Sequence, residues 1–414
     1  MIRPRGRRGR RPGEPAAARR PTGGAFASLG FTPKLARRSV LLGRDARPES
    51  MPSLKLEFEV SSKTWEVFLI ALRNTLLIVL TLSFYRFWAR TRVRRYLWSR
   101  TSLLGEPLEY TGTSLELLIG FVIAVALFGV PFIGASIAVR FLDEGEELWL
   151  LSYAAAVYIG FLLLYGVARY RVQRYRLSRT LWRGIRFGLA GSAVAFGIRT
   201  LALYYLNLVT LFWAYPYQRL VLTRRLTRNT AFGDRAFEMD GLARALYPAF
   251  IVGWILSVFG LMAAFVGVSL LTIYLRENGF TFLSISEEQR ALGAPDPLLG
   301  ALTVISGVLT LTLTMAWYNA KELRYFAQCT HLGGLRFRLR ASGLAVFWLS
   351  AVNALLILLT FGFALPLAQM RRFRFYFRRL TAEGPIDLDA IAQGTTPYPW
   401  FGEGLGEFFY LNSI

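Results

Sequence analysis

Seven long apolar segments dominate this chain and constrain its fold more than any other feature. They cover residues 66–88, 115–139, 148–168, 190–216, 246–274, 298–318 and 344–368. At a helical rise of about 1.5 Å per residue, each is long enough to cross a hydrocarbon layer of about 30 Å. A soluble helical protein would instead carry a polar face along each helix. The pattern predicts an all-α membrane protein, a polytopic helical bundle with about seven apolar segments.

The composition is consistent with a membrane protein. The chain is 54% hydrophobic, yet it carries 49 Lys and Arg against 26 Asp and Glu, a net charge of +23. Apolar residues in lipid and cations in surface loops account for both properties, so we expect a lipid bilayer as partner and no nucleic acid. The chain has one Cys and one His, which excludes a disulfide framework and a Cys/His metal cage. We predict no metal and no cofactor.

A short motif recurs along the chain. In each copy an Arg stands six residues before a Thr, and a Gly follows the Thr by about four residues. The copies are Arg95-Thr101-Gly105, Arg174-Thr180-Gly184, Arg224-Thr230-Gly233 and Arg324-Thr330-Gly334, with a weaker fifth copy at Leu380 and Gly384. Matching spacings in several copies predict an internal repeat.

A stretch of alternating residues follows the Thr and Gly of the motif, as at 185–189 and 335–339, and a similar stretch occupies 54–60. These stretches predict five or six short strands, which are stable only when they pair in one sheet. We therefore expect a small cytoplasmic β-element beside the helices. The predicted units are residues 54–191 and 192–343 as two membrane repeats, 344–380 as a partial third, and 381–414 as a C-terminal tail.

Residues 1–53 differ from the rest of the chain. They are rich in Arg, Pro and Gly and show no apolar period, so we expect a disordered basic tail. The alternative is that the protein starts at Met51.

The loops between apolar segments differ in charge. Cations are in excess at 86–115, 169–186, 219–244, 319–340 and 371–379, whereas acids are in excess at 140–147 and 275–297. The positive-inside rule assigns the basic loops to the cytoplasm. Segments 66–88, 190–216 and 344–368 then have basic loops on both sides. They are either ordinary spans or segments that re-enter the side they came from, and pairing of the strands in one sheet favours re-entry.

Residues 74–90, NTLLIVLTLSFYRFWAR, resemble the hallmark of the YjgN-type bacterial inner-membrane proteins, a family of unknown function called DUF898. The resemblance continues through Val93, Arg94, Arg95, Tyr96, Thr101, Gly105 and Tyr110. The family pattern has Gly where this chain has Ser83. The resemblance covers about residues 54–380 and implies a multi-pass protein of the bacterial inner membrane. It implies no catalytic residues.

Two sets of residues are candidate sites. Polar residues within apolar segments either line a solute pathway or pack helices together; these are Arg73, Asn74, Thr81, Asn207, Thr210, Asn353 and Thr360. Motif residues either contact phosphate or lipid headgroups or anchor the chain at the interface; these are Arg95, Tyr96, Arg174, Tyr175, Arg224, Arg324 and Tyr325.

Three functions are compatible with the sequence. The favoured hypothesis is transport or permeation of a small solute through the repeat interface. The alternative is a membrane scaffold or organiser that binds anionic lipid headgroups without transport. The third is a lipid-modifying membrane enzyme. Because the sequence contains no phosphate-binding loop, HExxH or GxSxG motif, we predict that the protein is not an enzyme.

Overall fold

The computed structural model describes residues 54–395 except 83, 130–132, 135, 138–146, 279–296, 361 and 363. The basic tail predicted for residues 1–53 lies outside this part of the chain. In the described part, the helices are α1 (Thr64–Leu80), α2 (Arg86–Ser99), α3 (Ser114–Ala124), α4 (Glu147–Ser178), α5 (Ala193–Val209), α6 (Tyr215–Asn229), α7 (Tyr247–Glu277), α8 (Pro297–Thr314), α9 (Ala316–Gln328), α10 (Gly343–Leu359) and α11 (Leu365–Phe377). A π-helical turn, Val125–Gly129, extends α3.

The strands are β1 (Leu54–Val60), β2 (Thr101–Leu103), β3 (Glu106–Pro107), β4 (Glu109–Tyr110), β5 (Thr180–Trp182), β6 (Ile185–Leu189), β7 (Thr230–Phe232), β8 (Arg235–Met239), β9 (Thr330–Leu332), β10 (Leu335–Leu339) and β11 (Leu380–Gly384). They form one antiparallel sheet of order β3-β2-β1-β11-β10-β9-β8-β7-β6-β5-β4. Its two edge strands, β3 and β4, are separated only by Leu108. The Leu108 amide donates to the Thr101 carbonyl, and the Thr111 amide to the Arg179 carbonyl, both at 2.9 Å. One bent segment thus joins both ends of the sheet into a nearly closed, barrel-like ring.

This ring corrects the predicted fold class. A membrane all-α bundle with a small β-element is wrong, because the sheet has 11 strands and organises the whole described chain. Each strand is too short to be stable alone, but a nearly closed ring leaves few unpaired edges. β11 extends into the region predicted as a C-terminal tail, and it pairs with β1 in the register Leu54 to Gly384.

Five similar units make up the ring. In each unit an inner helix enters a β-hairpin and an outer helix leaves it; the inner helices are α2, α4, α6, α9 and α11, and the outer helices are α3, α5, α7, α10 and α1. The fifth hairpin consists of β11 and β1, from opposite ends of the chain. The same backbone hydrogen bond, 2.9 to 3.0 Å long, occurs five times, from the amides of Ser61, Thr111, Ala190, Asp240 and Arg340 to the carbonyls of Arg100, Arg179, Asn229, Cys329 and Arg379. The motif copies therefore occupy equivalent places.

Three of the seven apolar segments reverse direction. The Asn74 side chain donates to the Ala89 carbonyl at 3.4 Å, and Asn353 donates to Ala368 at 3.3 Å, each across 15 residues. In a continuous helix, 15 residues would separate the two groups by about 22 Å. In addition, β6 and β7, which flank α5 and α6, pair with each other. The pairs α1–α2, α5–α6 and α10–α11 thus leave the sheet and return to it, as the re-entrant interpretation expects.

Fewer helices meet the criteria for a membrane span than the seven apolar segments of the sequence. Among the described helices, two are long and apolar enough to cross a membrane, over Leu151–Ser178 and Tyr247–Leu275. A third span arises if α8 and α9, bent by 47°, count as one. The longest arms of the reversing pairs have 17 residues, or about 25 Å, which is less than the hydrocarbon thickness of about 30 Å.

Apolar clusters show how the helices surround the sheet axis. The largest cluster fills the ring and includes Leu56, Trp182 and Leu335. Five smaller clusters each join one inner helix, its own outer helix and the next inner helix. The inner helices therefore follow each other in the order α2, α4, α6, α9, α11 and back to α2. Each outer helix packs over the contact between two neighbouring inner helices.

Candidate functional site

The motif Arg and Thr residues make hydrogen bonds within their own units. Arg95 donates to the Gly112 carbonyl at 2.8 Å, 17 residues further along the chain. Arg174 and Arg224 make the same bond to the carbonyls of Gly191 and Gly241. The hydroxyls of Thr101, Thr180, Thr230 and Thr330 each donate to the carbonyl four residues earlier, at 2.7 to 2.9 Å. The fixed Arg-to-Thr spacing has a structural reason, because the Thr ends the inner helix and the Arg reaches the far end of the same hairpin.

The fourth motif copy departs from this pattern. The guanidinium of Arg324 donates to the Ala320 carbonyl at 3.3 Å, within its own helix. The motif tyrosines bind the preceding unit instead: Tyr96 donates to Glu66 at 2.7 Å, Tyr175 donates to Glu116, and Tyr325 donates to the Leu242 carbonyl at 3.1 Å. Contact of these Arg and Tyr residues with headgroups or phosphate stays a prediction.

The electrostatics of Tyr96 follow from its position. Partial burial and the hydrogen bond to the Glu66 carboxylate both disfavour the phenolate, so the pKa of Tyr96 lies above its usual value of 10.0.

The predicted intramembrane residues lie within separate hairpins. Asn74 and Asn353 hold the two arms of their reversing pairs together, and Asn207 does so by donating to Gln218. The hydroxyls of Thr81, Thr210 and Thr360 each donate to the carbonyl four residues earlier and accept an amide at the end of the turn. Arg73 is exposed on α1. The structure does not bring these residues into one shared cluster.

Sequence reasoning missed a different set. Eleven residues before the motif Thr, or before Leu380 in the fifth copy, the residue is polar in all five units: Arg90, Arg169, Arg219, Asn319 and Gln369. These five side chains are partly buried, whereas the residues directly before and after them are buried in every unit. Alignment of the copies on the Thr would have revealed this position.

The helix geometry shows which way this position points. Two residues earlier, Trp88, Tyr217 and Trp317 are 38%, 47% and 55% exposed, so in these three units that position faces outward between the outer helices. The residues at the same position in the other two units, Val167 and Leu367, are partly buried. Residues two apart on an α-helix are turned by about 200°. The polar position therefore faces the axis that the five inner helices enclose. Positions four and seven residues further along the helix lie on the same side, and they include Arg94 and Arg176.

We call Arg90, Arg94, Arg169, Arg176 and Arg219 the axial arginine cluster. Arg169 on α4 and Arg219 on α6 are close enough to repel each other electrostatically. Arg176 is in similar proximity to Arg90 and Arg94 on α2. The cluster thus spans three consecutive inner helices.

One carboxylate faces the cluster from α9. Arg219 binds Glu322 through two hydrogen bonds, Nε to Oε1 and Nη2 to Oε2, both 2.9 Å long. The Tyr318 hydroxyl donates to the same carboxylate at 3.3 Å. The Glu322 side chain is only 2% exposed. Glu322 neutralises the charge of Arg219.

This arrangement is suited to binding an anion. Guanidinium groups form bidentate hydrogen bonds to phosphate and carboxylate oxygens, and their attraction is stronger at low effective dielectric than in water. No group of three or more His, Cys, Asp or Glu that could hold a metal occurs in the part of the chain that the structure describes. The guanidinium groups at the axis are suited to charge recognition.

The comparisons with known proteins identify the family. No curated protein and no solved structure matches the chain. A sequence model with the description "Bacterial protein of unknown function (DUF898)" matches residues 54–408. Because this match covers most of the chain, the protein belongs to the DUF898 family of bacterial proteins of unknown function.

Proposed function

We propose that this protein resides in the bacterial inner membrane, binds a small anionic solute at the axial arginine cluster and mediates its passage. The observation that carries the proposal is the projection of arginines from three consecutive inner helices toward one axis. Arg169 belongs to a helix long and apolar enough to span a membrane. Arg169 lies at the basic end of that helix, one residue beyond the apolar segment 148–168, where a guanidinium is suited to contact anions.

Charge balance supports an anion rather than a cation. The guanidiniums form two groups along α4, Arg169 with Arg219 and Arg176 with Arg90 and Arg94, and the Glu322 carboxylate binds Arg219. A bound anion would reduce the repulsion between Arg169 and Arg219 and would accept their hydrogen bonds. A cation would add to the repulsion, so it is disfavoured.

The sheet side of the axis is closed in this conformation. The ring interior is filled by apolar side chains, and Ile386, Leu388 and Ile391 of the segment after β11 pack against it. That segment is held by the Asp234 amide, which donates to the Ala392 carbonyl at 3.0 Å. Passage through the axis would therefore require the segment to move.

We propose that the sheet lies on the cytoplasmic side. The basic inner helices end at the sheet, while the sequences between α3 and α4 and between α7 and α8 are acidic. The positive-inside rule supports this orientation. A reporter enzyme that is active only in the periplasm should stay inactive when it is fused after residue 395. Activity of this fusion would contradict the proposed orientation.

The test of anion binding is a matched pair of variants. The full chain in lipid nanodiscs is titrated with radiolabelled phosphate and sulfate. Arg169→Gln should weaken binding by about tenfold or more, since a charge-assisted hydrogen bond contributes about 1.5–3 kcal/mol. Arg225→Gln, at an exposed position on α6, removes the same charge outside the axis and should leave binding unchanged. Equal affinities for both variants would refute the proposed function.

Transport is tested separately from binding. Proteoliposomes that contain the full chain should show phosphate or sulfate uptake above that of empty vesicles. The same Arg169→Gln variant should reduce uptake, while Arg225→Gln should not. Binding without uptake would retain the anion site and reject passage.

A further inference from the structure

We infer that the anion at the axial arginine cluster is the headgroup phosphate of a membrane lipid, which reaches the cluster sideways from the bilayer. This inference rests on the proposed anion site. It takes a lipid headgroup instead of a free small solute as the source of the anion, and it adds the route by which that anion arrives.

The first step concerns how far each inner helix extends beyond the cluster. α2, α6 and α11 begin at Arg86, Tyr215 and Leu365, four residues before the axial position, which is about 6 Å. In contrast, α4 begins at Glu147, 22 residues before Arg169, or about 33 Å. α9 continues through its 47° bend into α8. At the level of the arginines five inner helices surround the axis, but beyond the turns only two of the described inner helices continue.

The second step concerns where the short helices lie. The order of inner helices is α2, α4, α6, α9, α11, so the long α4 and α9 are not neighbours. The pair α5–α6 stands alone between them on one side. On the other side, the pairs α10–α11 and α1–α2 stand together. Beyond these turns, on the side away from the sheet, the inner helices leave two lateral openings toward the axis. The narrow opening lies over the pair α5–α6, and the wider one lies over the pairs α10–α11 and α1–α2.

The third step concerns what surrounds these openings. The turns carry exposed apolar side chains: Leu82 is 87% exposed, Leu211 is 74% exposed and Phe212 is 57% exposed. Large apolar groups at the ends of apolar helices are placed in hydrocarbon rather than in water. A ligand that passes over these turns needs an apolar body, and one that stays at the arginines needs an anionic end.

A phospholipid has both properties. Its chains can remain in the bilayer above the short hairpins while its phosphate contacts Arg169 and its neighbours. A free phosphate ion would have to cross hydrocarbon without its hydration, which is strongly unfavourable. The opposite route, through the sheet, is closed by the apolar filling of the ring.

The experiment uses the full chain in phosphatidylcholine nanodiscs doped with phosphatidylglycerol that carries a photoactivatable group on one acyl chain. After illumination, labelled peptides are located by mass spectrometry. We expect labels at the turns of the reversing pairs, around residues 81–85, 210–214 and 360–364. Arg169→Gln should reduce the labelling by about tenfold, as expected for loss of a charge-assisted contact. Arg225→Gln should not reduce it, and Arg169→Lys, which keeps the charge, should retain more than Arg169→Gln. Retention in Arg169→Lys excludes misfolding as the cause.

Competition distinguishes the two sources of phosphate. Water-soluble glycerol 3-phosphate should not displace the lipid label, because it lacks the apolar body. Unchanged labelling in Arg169→Gln, or displacement by glycerol 3-phosphate, would overturn the lipid inference. If inorganic phosphate binds in an Arg169-dependent manner while lipid labelling does not depend on Arg169, the anion site stands and the lipid route fails. If neither depends on Arg169, both fail.

Discussion

The ion pair between Arg219 and Glu322 offers a quantitative test of how the inner helices are held together. The pair joins α6 to α9, and its two partners differ in burial: the Glu322 side chain is 2% exposed and that of Arg219 is 30% exposed. Removing either partner leaves the other behind in a different environment. The two single variants should therefore differ in stability.

The expected loss of stability in each variant follows from the charged group that the substitution leaves without its partner. Arg219→Gln leaves a buried carboxylate with the Tyr318 hydroxyl as its remaining described hydrogen-bond donor. An uncompensated buried charge of this kind costs about 3–5 kcal/mol. Glu322→Gln leaves a guanidinium that is partly exposed and can still donate to the new amide. Its cost should be nearer that of a weakened charged hydrogen bond, about 1.5–3 kcal/mol.

The assay is equilibrium unfolding of the full chain in mixed micelles, for both single variants and the double variant. Arg219→Gln should be the most destabilised, and the double variant should be less unstable than the sum of the two losses. Glu322→Gln should also strengthen anion binding, because it removes the carboxylate that binds Arg219. Equal destabilisation by the two single variants, or strict additivity, would refute this account of the pair.

Three further predictions concern the hydrogen bonds of Asn353, Thr101 and Tyr96. Asn353→Leu should destabilise the α10–α11 hairpin by about 0.6–1.7 kcal/mol, measured by the same unfolding assay; no change would show that its bond to the backbone contributes nothing. Thr101→Val should lower the free energy of unfolding by about 1 kcal/mol through loss of the helix-end hydrogen bond, whereas Leu380→Thr, which restores the motif in the fifth copy, should not lower it. A stable Thr101→Val variant together with a destabilised Leu380→Thr variant would contradict the role given to the Thr. Because the pKa of Tyr96 is raised, its contribution to stability is complete below pH 10 and is lost as the pH rises through the raised pKa. Tyr96→Phe should therefore lose less stability at alkaline pH than the wild type. Identical curves of unfolding free energy against pH for the two proteins would exclude this linkage.

Local features were predictable from the sequence. The strand segments 54–60, 185–189 and 335–339 coincide with β1, β6 and β10, because alternation and the Thr–Gly spacing are properties of a few neighbouring residues. The apolar segments also coincide with helices where the structure describes them. Hydropathy alone could not show that three of them reverse at Thr81, Thr210 and Thr360, because a turn inside an apolar run changes composition very little.

The ring and the axial cluster were not predictable in the same way. Pairing of β1 with β11 joins residues more than 300 positions apart, and nothing in either strand specifies the partner. The recognised motif begins at Arg95 and its equivalents, whereas Arg169 lies five residues before the Arg of its own copy, Arg174. The counterparts of Arg169 in the fourth and fifth copies, Asn319 and Gln369, are polar but uncharged, so a search for a repeated Arg does not find the position.

Closure of the ring by β1 and β11 has a consequence for biogenesis. The ribosome makes β1 before any other strand described here and β11 after all the others, so every intermediate of synthesis has an open sheet. In a chain that stops before residue 380, β1 and β10 would both lack the partner that β11 provides. Such unpaired edges invite aggregation and proteolysis. The sheet can therefore be completed only in a chain that extends through Gly384.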